Sequence, residues 1–283
     1  MRRRRPSGRR ARAISLTVLV LTVAVSTTAC ASSSGSHTST TLGGPPPPPG
    51  ALLFDGAFGP ATSRPRLVTN EYARANPHAR DAIRSDDWVV TSGSLFERDG
   101  VAWSGRPDGV SPGPESHSHT DSAVFRMVTA RRSFRDVAVT VRFRNLGLTR
   151  TKRTPARPWD GIHMFLRYVS PAELYYASVN RRDGTVTVKK KVRGGNDQID
   201  GGTYTTLATG RRHVPYGEWQ TAEAIVRDVG RDVVIDVYVD GRRVVHALDH
   251  GQGGRAPLTR PGGTGIRADN CEFEISSFTV TQA

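Results

Sequence analysis

The sequence predicts an all-β protein, an antiparallel two-sheet β-sandwich built from residues 51–283. Three Asp-Gly pairs, at positions 99–100, 183–184 and 240–241, lie between runs of alternating apolar and polar residues. Asp and Gly tolerate the positive φ angles that two-residue hairpin turns need, so each pair predicts a β-hairpin. The 29 glycines and 18 prolines, without sustained helical periodicity, also disfavour a helical fold.

The alternation of apolar and polar residues places the strands, about ten to twelve in all. Residues 70–85 have room for one short helix. No fixed repeat and no second domain boundary is visible, so we expect a single domain. The clearest predicted strands cover 88–90, 94–97, 101–103, 137–144, 162–168, 174–182, 185–192, 219–227, 233–239, 242–245, 265–267 and 273–280.

The N-terminus reads as an export signal. Residues 1–12 contain seven arginines, an apolar run covers 13–25, and small residues 26–29 precede Cys30. This order is typical of a secretory signal peptide. The apolar run is shorter than the roughly 20 residues of a membrane-spanning helix, although an uncleaved single-span anchor remains the alternative.

Cys30 directly follows Thr28-Ala29, a segment that resembles a bacterial lipobox. The resemblance implies that residues 1–29 are removed and that Cys30 is acylated, which gives an extracytoplasmic, membrane-anchored lipoprotein. Ordinary cleavage nearby and a soluble secreted protein is the alternative. If Cys30 is acylated, Cys271 has no disulfide partner, and we expect it to be a small buried apolar residue.

Residues 30–50 predict a disordered tether, because serine, threonine and glycine precede the extended proline run 45–49. Removal of residues 1–29, which carry seven arginines and no acidic residue, lowers the net charge from +14 to +7. The basic balance alone would suggest nucleic acid. No recognition helix or zinc finger accompanies it, so we predict no nucleic-acid partner.

Five segments carry a family resemblance: WDGIHMFLRY at 159–168, ELYYASVNRRDGTVTVKKK at 173–191, GEWQ at 217–220, the V-D-G hairpin around 232–244 and GTGIRADNCEFEISSFTV at 263–280. Through them, residues 85–281 resemble the concanavalin A-like lectin/glucanase superfamily in its laminin-G-like jelly-roll form. The resemblance implies a jelly roll, but it does not imply an activity, because this fold carries lectins, hydrolases, lyases and adhesion modules.

The glucanase branch of that superfamily carries Glu-x-Asp-x-x-Glu on one strand. The partial match Glu97-Arg98-Asp99 lacks the second glutamate, and Asp99 belongs to a predicted turn. Glu272 and Glu274 share one strand face, which we interpret as a solvated edge. Since a retaining glycosidase needs two carboxyl groups about 5 Å apart, a glycoside hydrolase stays an alternative without a motif.

The outward positions of four predicted strands are rich in basic residues. If the strands are neighbours, they form one face without acidic residues. Arginine forks bind carboxylates and sulfates through two hydrogen bonds, and aromatic rings stack on sugars, so we predict an anionic polysaccharide as ligand. The face comprises Arg142, Arg144, His163, Arg167, Tyr176, Asn180, Lys189 and Lys191, and Trp159 is the candidate for sugar stacking.

Two other functions stay open. A polysaccharide lyase, as in the alginate-lyase-like jelly rolls, would use His163 and Tyr176 to move protons and Arg167 to neutralise the uronate carboxylate. The lyase sequence motifs are absent. In a structural or adhesion module without a sugar ligand, His163 would instead be a hydrogen-bonded structural residue.

A structural Ca²⁺ is the one metal that the sequence suggests. Asp55 lies near the first predicted strand and Asp269 near the last, and first and last strands often pair in jelly rolls. Carboxylate oxygens suit Ca²⁺, so the two residues form a candidate shared site. We expect no required cofactor and a monomer.

Overall fold

A computed structural model describes residues 47–59, 64–114, 120, 122–194, 201–213 and 215–283. The predicted signal peptide, Cys30 and most of the predicted tether lie outside these ranges. Within them, sixteen strands form two antiparallel sheets. The prediction of an all-β, two-sheet jelly-roll sandwich is therefore confirmed.

The strands are β1 Leu52–Asp55, β2 Arg66–Asn70, β3 Trp88–Ser92, β4 Ser94–Arg98, β5 Val101–Trp103, β6 Val124–Thr129, β7 Val137–Leu148, β8 Gly161–Ser170, β9 Glu173–Arg181, β10 Thr185–Arg193, β11 Gly202–Arg211, β12 Gln220–Val229, β13 Asp232–Val239, β14 Arg242–Asp249, β15 Gly263–Asp269 and β16 Cys271–Gln282. The helix α1 covers Glu71–Ala75, inside the segment where a short helix was expected, and is capped by the Asn70 side chain. In the described part of the chain, no helix is long and apolar enough to cross a membrane.

The nine-stranded sheet has the order β14-β13-β12-β7-β16-β5-β4-β2, and β1 also pairs with β16. The seven-stranded sheet has the order β11-β10-β9-β8-β15-β6-β3. The chain crosses between the sheets several times, from β6 to β7 to β8 and from β14 to β15 to β16. As expected for a jelly roll, the first and last strands pair, with Leu52 opposite Thr281.

One apolar core fills the space between the sheets. Val139, Val141 and Phe143 of β7 and the alternating residues Ile162 and Met164 of β8 all point into it. Cys271 lies in the same core and is fully buried, as predicted, and burial raises the pKa of its thiol well above the usual range. The predicted inward positions of these strands are therefore confirmed.

Two of the predicted Asp-Gly turns show the expected backbone. Asp99 and Asp240 have φ angles of 51° and 49°, and the glycines that follow have 76° and 72°. These positive values fit the tight hairpin turns that twist with the flanking strands. Asp99 is thus part of a turn, which removes it from the strand face where a glucanase acid would lie.

Candidate functional site

The predicted basic face is divided between the two sheets. Arg142 and Arg144 do point outward from β7, but β7 pairs with β12 and β16 in the nine-stranded sheet. His163, Tyr176 and Lys189 lie on β8, β9 and β10 of the seven-stranded sheet. The prediction of one shared face was therefore wrong, because alternation tells inward from outward but does not tell which sheet a strand joins.

The outer face of the nine-stranded sheet also contains acidic residues. Glu274 is buried and accepts hydrogen bonds from Arg98 and Arg144. The Arg98 guanidinium lies 4.0 Å from the Trp103 ring centre, and Arg144 lies 4.8 Å from that of Trp219. The expectation of an acid-free surface around Arg144 was wrong, and Glu274 is held by arginines rather than paired with a second carboxylate.

Arg142 on β7 and Glu272 on β16 lie on the same outer face. The Arg142 guanidinium lies 4.9 Å from the ring centre of Trp219 and donates to Ser276 Oγ at 3.2 Å. Glu272 accepts a hydrogen bond of 2.9 Å from Trp103 Nε1. Both glutamates of the sequence Glu-x-Glu are thus engaged in side-chain contacts, and the glycoside hydrolase alternative gains no acid pair from them.

Arg167 points into the sandwich, not outward as predicted. Its φ of 46° marks a β-bulge in β8, which reverses the alternation after Leu166. The side chain is fully buried, and its guanidinium donates to Asp228 at 2.6 Å and Asp136 at 2.9 Å. It also donates to two backbone carbonyls. Arg167 therefore joins the two sheets and is not available to a ligand.

Asn180 also turns inward, against the prediction. The register of β8 against β9 shifts between Ile162 and His163, which places Asn180 opposite an inward residue. Its Oδ1 accepts a hydrogen bond of 2.6 Å from Asn145 Nδ2 on β7, a strand of the other sheet. The same type of irregularity thus removes both Arg167 and Asn180 from the predicted surface.

His163 points outward from β8, as predicted, but it is closed to solvent, with an exposed fraction of 0%. Its Nδ1 lies 3.0 Å from Ser178 Oγ, its Nε2 lies 3.3 Å from Asp269 Oδ2, and its ring stacks on Tyr176 at 4.6 Å. Burial lowers the pKa of His163, although Asp269 acts in the opposite direction. Burial likewise raises the pKa of Tyr176 well above its usual range.

The three residues of the lyase hypothesis are therefore not assembled for catalysis. His163 and Tyr176 are covered, whereas a general acid or base must reach the proton that it transfers. Arg167 lies on the opposite side of the sheet. The contacts of His163 match those of a hydrogen-bonded structural histidine.

Arg267 of β15 belongs to this cluster, and the sequence analysis missed it. It lies opposite His163 in the sheet register, and its Nε donates to Asp269 Oδ2 at 2.7 Å. Burial alone would raise the pKa of Asp269, but Arg267 and His163 lower it below its usual range. Alternation was the available signal, because Ile266 points inward and its neighbour must point outward.

The candidate calcium pair is not brought together. Asp55 lies opposite Thr279, whereas Asp269 precedes Cys271 at the other end of β16. Eight residues of extended strand separate Cys271 from Thr279, roughly 26 Å at 3.3 Å per residue. The carboxylate of Asp269 also accepts a hydrogen bond from Arg267. Across the described ranges, no three His, Cys, Asp or Glu side chains are grouped so as to hold a metal ion.

The outer face of the seven-stranded sheet carries a shallow depression of about 10 Å³, room for about one water molecule. We call it the sheet-face depression. Since it encloses so little volume, it suits a single substituent or the edge of a ring rather than a whole ligand. It is lined by Arg126, Phe165, Tyr168, Pro171, Leu174, Tyr204 and Arg267.

Two lysines of β10 lie close to Tyr204, one of the rings that line the depression. Lys191 lies 4.8 Å from the ring centre of Tyr204, and Lys189 lies 5.9 Å from it. Both lysines point outward as predicted, but Lys191 is buried and Lys189 is half-buried. Burial, followed by Arg181 and Arg267, lowers the pKa of Lys189, as expected where cations are crowded together.

Two residues of the depression lie on strands that the sequence analysis did not predict. Arg126 is on β6, which follows a serine- and proline-rich stretch, and Tyr204 is on β11, which follows a glycine-rich one. The outward position of Arg126 could have been read from Phe125 and Met127, which alternate with it and are fully buried.

Trp159 lies in the loop before β8 and is 47% exposed, as a residue that stacks on sugars must be. Arg157 lies 5.9 Å from its ring centre. The loop joins the end of β8 that is opposite to Tyr168, so Trp159 is separated from the sheet-face depression by most of the length of that strand.

No protein-family model and no curated protein matches the chain. A carbohydrate-binding module from Bacillus subtilis is similar in structure, with 12% identity and a TM-score of 0.48 over 69% of this chain and 95% of that one. An endo-1,3-β-glucanase from Streptomyces sioyaensis has 13% identity and a TM-score of 0.42 over 84% and 99%. A legume lectin-like domain from Entamoeba histolytica has 8% identity and a TM-score of 0.42 over 70% and 90%. At these values the likenesses do not decide the ligand or the activity of this chain.

Proposed function

We propose that the protein binds an anionic polysaccharide on the outer face of its seven-stranded sheet. The observation that carries the proposal is the sheet-face depression, where two arginines and three aromatic rings meet at an otherwise shallow surface. Arginine recognises carboxylate and sulfate groups through paired hydrogen bonds. Aromatic side chains supply large apolar area with a polar edge, which fits a sugar ring.

The charge of this face supports an anion. Arg126, Lys189, Lys191 and Arg267 lie on it, together with the buried carboxylate of Asp269, whose pKa is lowered by Arg267 and His163. A carboxylate or sulfate group at the depression would lie close to several of these cations, and Coulomb attraction would favour its binding. A neutral polysaccharide would use the rings alone.

The predicted export signal and tether support an extracytoplasmic site of action. In this proposal Cys30 carries a lipid, residues 31–50 hold the domain away from the membrane, and the monomeric sandwich meets polysaccharide in the cell envelope or beyond it. A surface polymer rich in carboxylate, sulfate or phosphate groups is the ligand class that such a location offers to a basic face.

Binding of purified polymers tests the proposal. Affinity electrophoresis or titration calorimetry with polyuronates, heparin and a neutral β-glucan should show retention by the anionic polymers, weakened at about 0.5 M NaCl because salt screens exposed charges. Arg126→Ala should weaken binding about tenfold, the equivalent of roughly 1.4 kcal/mol. Tyr204→Ala should weaken it through loss of ring contact.

Arg142→Ala is the matched control, since it removes one exposed arginine from the opposite sheet. It should leave the affinity unchanged. Equal losses in Arg126→Ala and Arg142→Ala would indicate a diffuse charge effect and contradict a site at the depression. Failure of every anionic polymer to bind would reject the proposed function.

A further inference from the structure

Two large aromatic side chains are exposed at the loop end of the sandwich. Trp159 is 47% exposed and Tyr216 is 43% exposed. Trp159 lies in the β7–β8 loop, and Tyr216 lies in the turn before β12. Both rings offer apolar area with a polar edge to a ligand at this end of the fold.

Hydrogen bonds hold both segments near the end of β9, which Arg182 directly follows. Arg182 donates its backbone N–H to Asp160 O at 2.7 Å, next to Trp159. On the other side, Gly217 N donates to Asn145 O at 2.7 Å, and Asn145 bonds to Asn180, two residues before Arg182. Burial raises the pKa of Tyr216 and the charge of Arg182 lowers it, which places Tyr216 within electrostatic reach of that guanidinium.

The loop that carries Trp159 is held in place before any ligand arrives. Asp160 is buried, and its carboxylate accepts a hydrogen bond of 2.7 Å from Arg157 N. Asp183 N in turn donates to Pro158 O at 3.1 Å. A ring presented by a fixed loop loses little conformational entropy on binding, which favours affinity.

Arg182 itself is only loosely engaged. Its side chain is 35% exposed, and its guanidinium donates two long hydrogen bonds of 3.4 Å, to Thr149 O and Asp160 Oδ2. A guanidinium has five N–H donors. Most of the donor capacity of Arg182 therefore remains for hydroxyl or carboxylate oxygens of a ligand beside the two rings.

We infer that Trp159, Tyr216 and Arg182 form a second sugar-binding site, the rim site, in which Trp159 stacks on a pyranose ring and Arg182 binds its oxygens. The inference rests on the proposed function, because one polysaccharide chain would occupy both sites. Seven residues of β8 separate Gly161, beside the rim, from Tyr168 at the depression, roughly 23 Å along the strand. Only an oligosaccharide of several residues would reach from one site to the other.

Solvent access to Trp159 gives a direct test on the unaltered chain. Oxidation of tryptophan by N-bromosuccinimide, read by peptide mass spectrometry, should modify Trp159 in the free protein and spare it in the presence of a uronate octasaccharide. Trp88 is buried and serves as an internal control. Unchanged oxidation of Trp159 under octasaccharide concentrations that saturate the protein would overturn the rim site.

Affinities of variants separate the two sites. Trp159→Ala should weaken octasaccharide binding about tenfold, at low and at high salt alike, because ring stacking is not screened, and should leave disaccharide binding at the depression unchanged. Leu248→Ala, which removes another exposed apolar side chain far from the rim, should have no effect. If Arg126→Ala loses binding while Trp159→Ala binds the octasaccharide like wild type, the rim site is wrong and the proposed function stands.

Absence of binding by every anionic oligomer would also be decisive, because the proposed function would then fail. The rim site would then be tested separately with neutral β-glucan oligosaccharides in the same oxidation experiment. Protection of Trp159 by a neutral octasaccharide would support a rim site for uncharged sugars. Absence of protection by every oligosaccharide would reject it.

Discussion

Arg167 and Asp228 join the two sheets through a hydrogen bond of 2.6 Å between a guanidinium on β8 and a carboxylate on β12. Asp136, which precedes β7, binds the same guanidinium at 2.9 Å. A buried arginine between two carboxylates is strongly coupled to the fold, because its removal leaves Asp136 without this partner and Asp228 with Arg135 alone.

Arg167→Ala is therefore expected to destabilise the domain by about 3–5 kcal/mol. Urea unfolding followed by tryptophan fluorescence measures the change in free energy of unfolding. Arg142→Ala, at an exposed position, should change it by less than about 0.5 kcal/mol. A stable Arg167→Ala protein that had lost glycan binding would show that Arg167 reaches the ligand after all.

Acid should weaken the fold through His163. Its pKa is lowered in the folded state by burial, while in the unfolded chain it returns to about 6.5. The unfolded state therefore binds the extra proton first, and stability falls as the pH drops below about 6.5 towards the folded pKa. The free energy of unfolding measured from pH 8 to pH 5 should decrease less steeply in His163→Gln than in wild type. Identical pH profiles of the two proteins in this range would show that His163 is not buried in solution.

Asp269 should act in a second, more acidic window. Its folded pKa lies below the usual value, so its contribution is present above about pH 4 and is lost as the pH falls further.

Glu274→Gln should destabilise the domain without affecting glycan binding. The change leaves Arg98 and Arg144 beside each other without their shared carboxylate, at an expected cost of about 1–3 kcal/mol. Thermal unfolding measures the stability, and affinity electrophoresis measures the binding. A loss of polysaccharide affinity in a folded Glu274→Gln protein would place the ligand on the nine-stranded sheet instead.

Cys30→Ser should release the protein from the membrane fraction, because acyl chains would provide the anchor. Cells that express the full chain can be separated into membrane and soluble fractions and examined by detergent partitioning. Cys271→Ala is the control, since Cys271 is buried in the sandwich core and its variant should stay in the membrane fraction. Unchanged partitioning of Cys30→Ser would contradict acylation at that residue.

Local sequence patterns predicted the strands and turns that depend on nearest neighbours. The alternation around Val141 and Met164 and the turns at Asp99 and Asp240 follow from side-chain polarity and backbone preference alone. Two kinds of error came from long-range structure. Sheet membership separated Arg142 from His163, and a single bulge with positive φ turned Arg167 inward. The alternation of apolar and polar residues determines neither the sheet that a strand joins nor the position of a bulge.

The candidate site was less predictable than the fold for the same reason. The depression combines the neighbouring strands β8 and β9 with β6, β11 and β15, which come from distant parts of the chain and meet only through strand order. Arg126 and Tyr204 lie on strands that follow serine- and proline-rich or glycine-rich segments. The loop-like composition of these segments hid the strands that come after them. Lys191 illustrates a further limit, since an outward position on a strand does not ensure exposure when Tyr204 covers it.

The pairing of β1 with β16 has a mechanical consequence. The chain enters the sandwich through a four-residue strand, β1, that is hydrogen-bonded to β16 at both ends, by Gly50 N to Gln282 O and by Gly56 N to Phe278 O. Arg131 Nη1 also donates to Leu53 O within the strand. If the proposed polymer held the seven-stranded sheet, tension applied through the predicted tether would reach β1 before any other strand. The load that the domain withstands would then be set by this short ladder, the Arg131 contact and the packing of Phe54 on its three aromatic neighbours, rather than by the whole core.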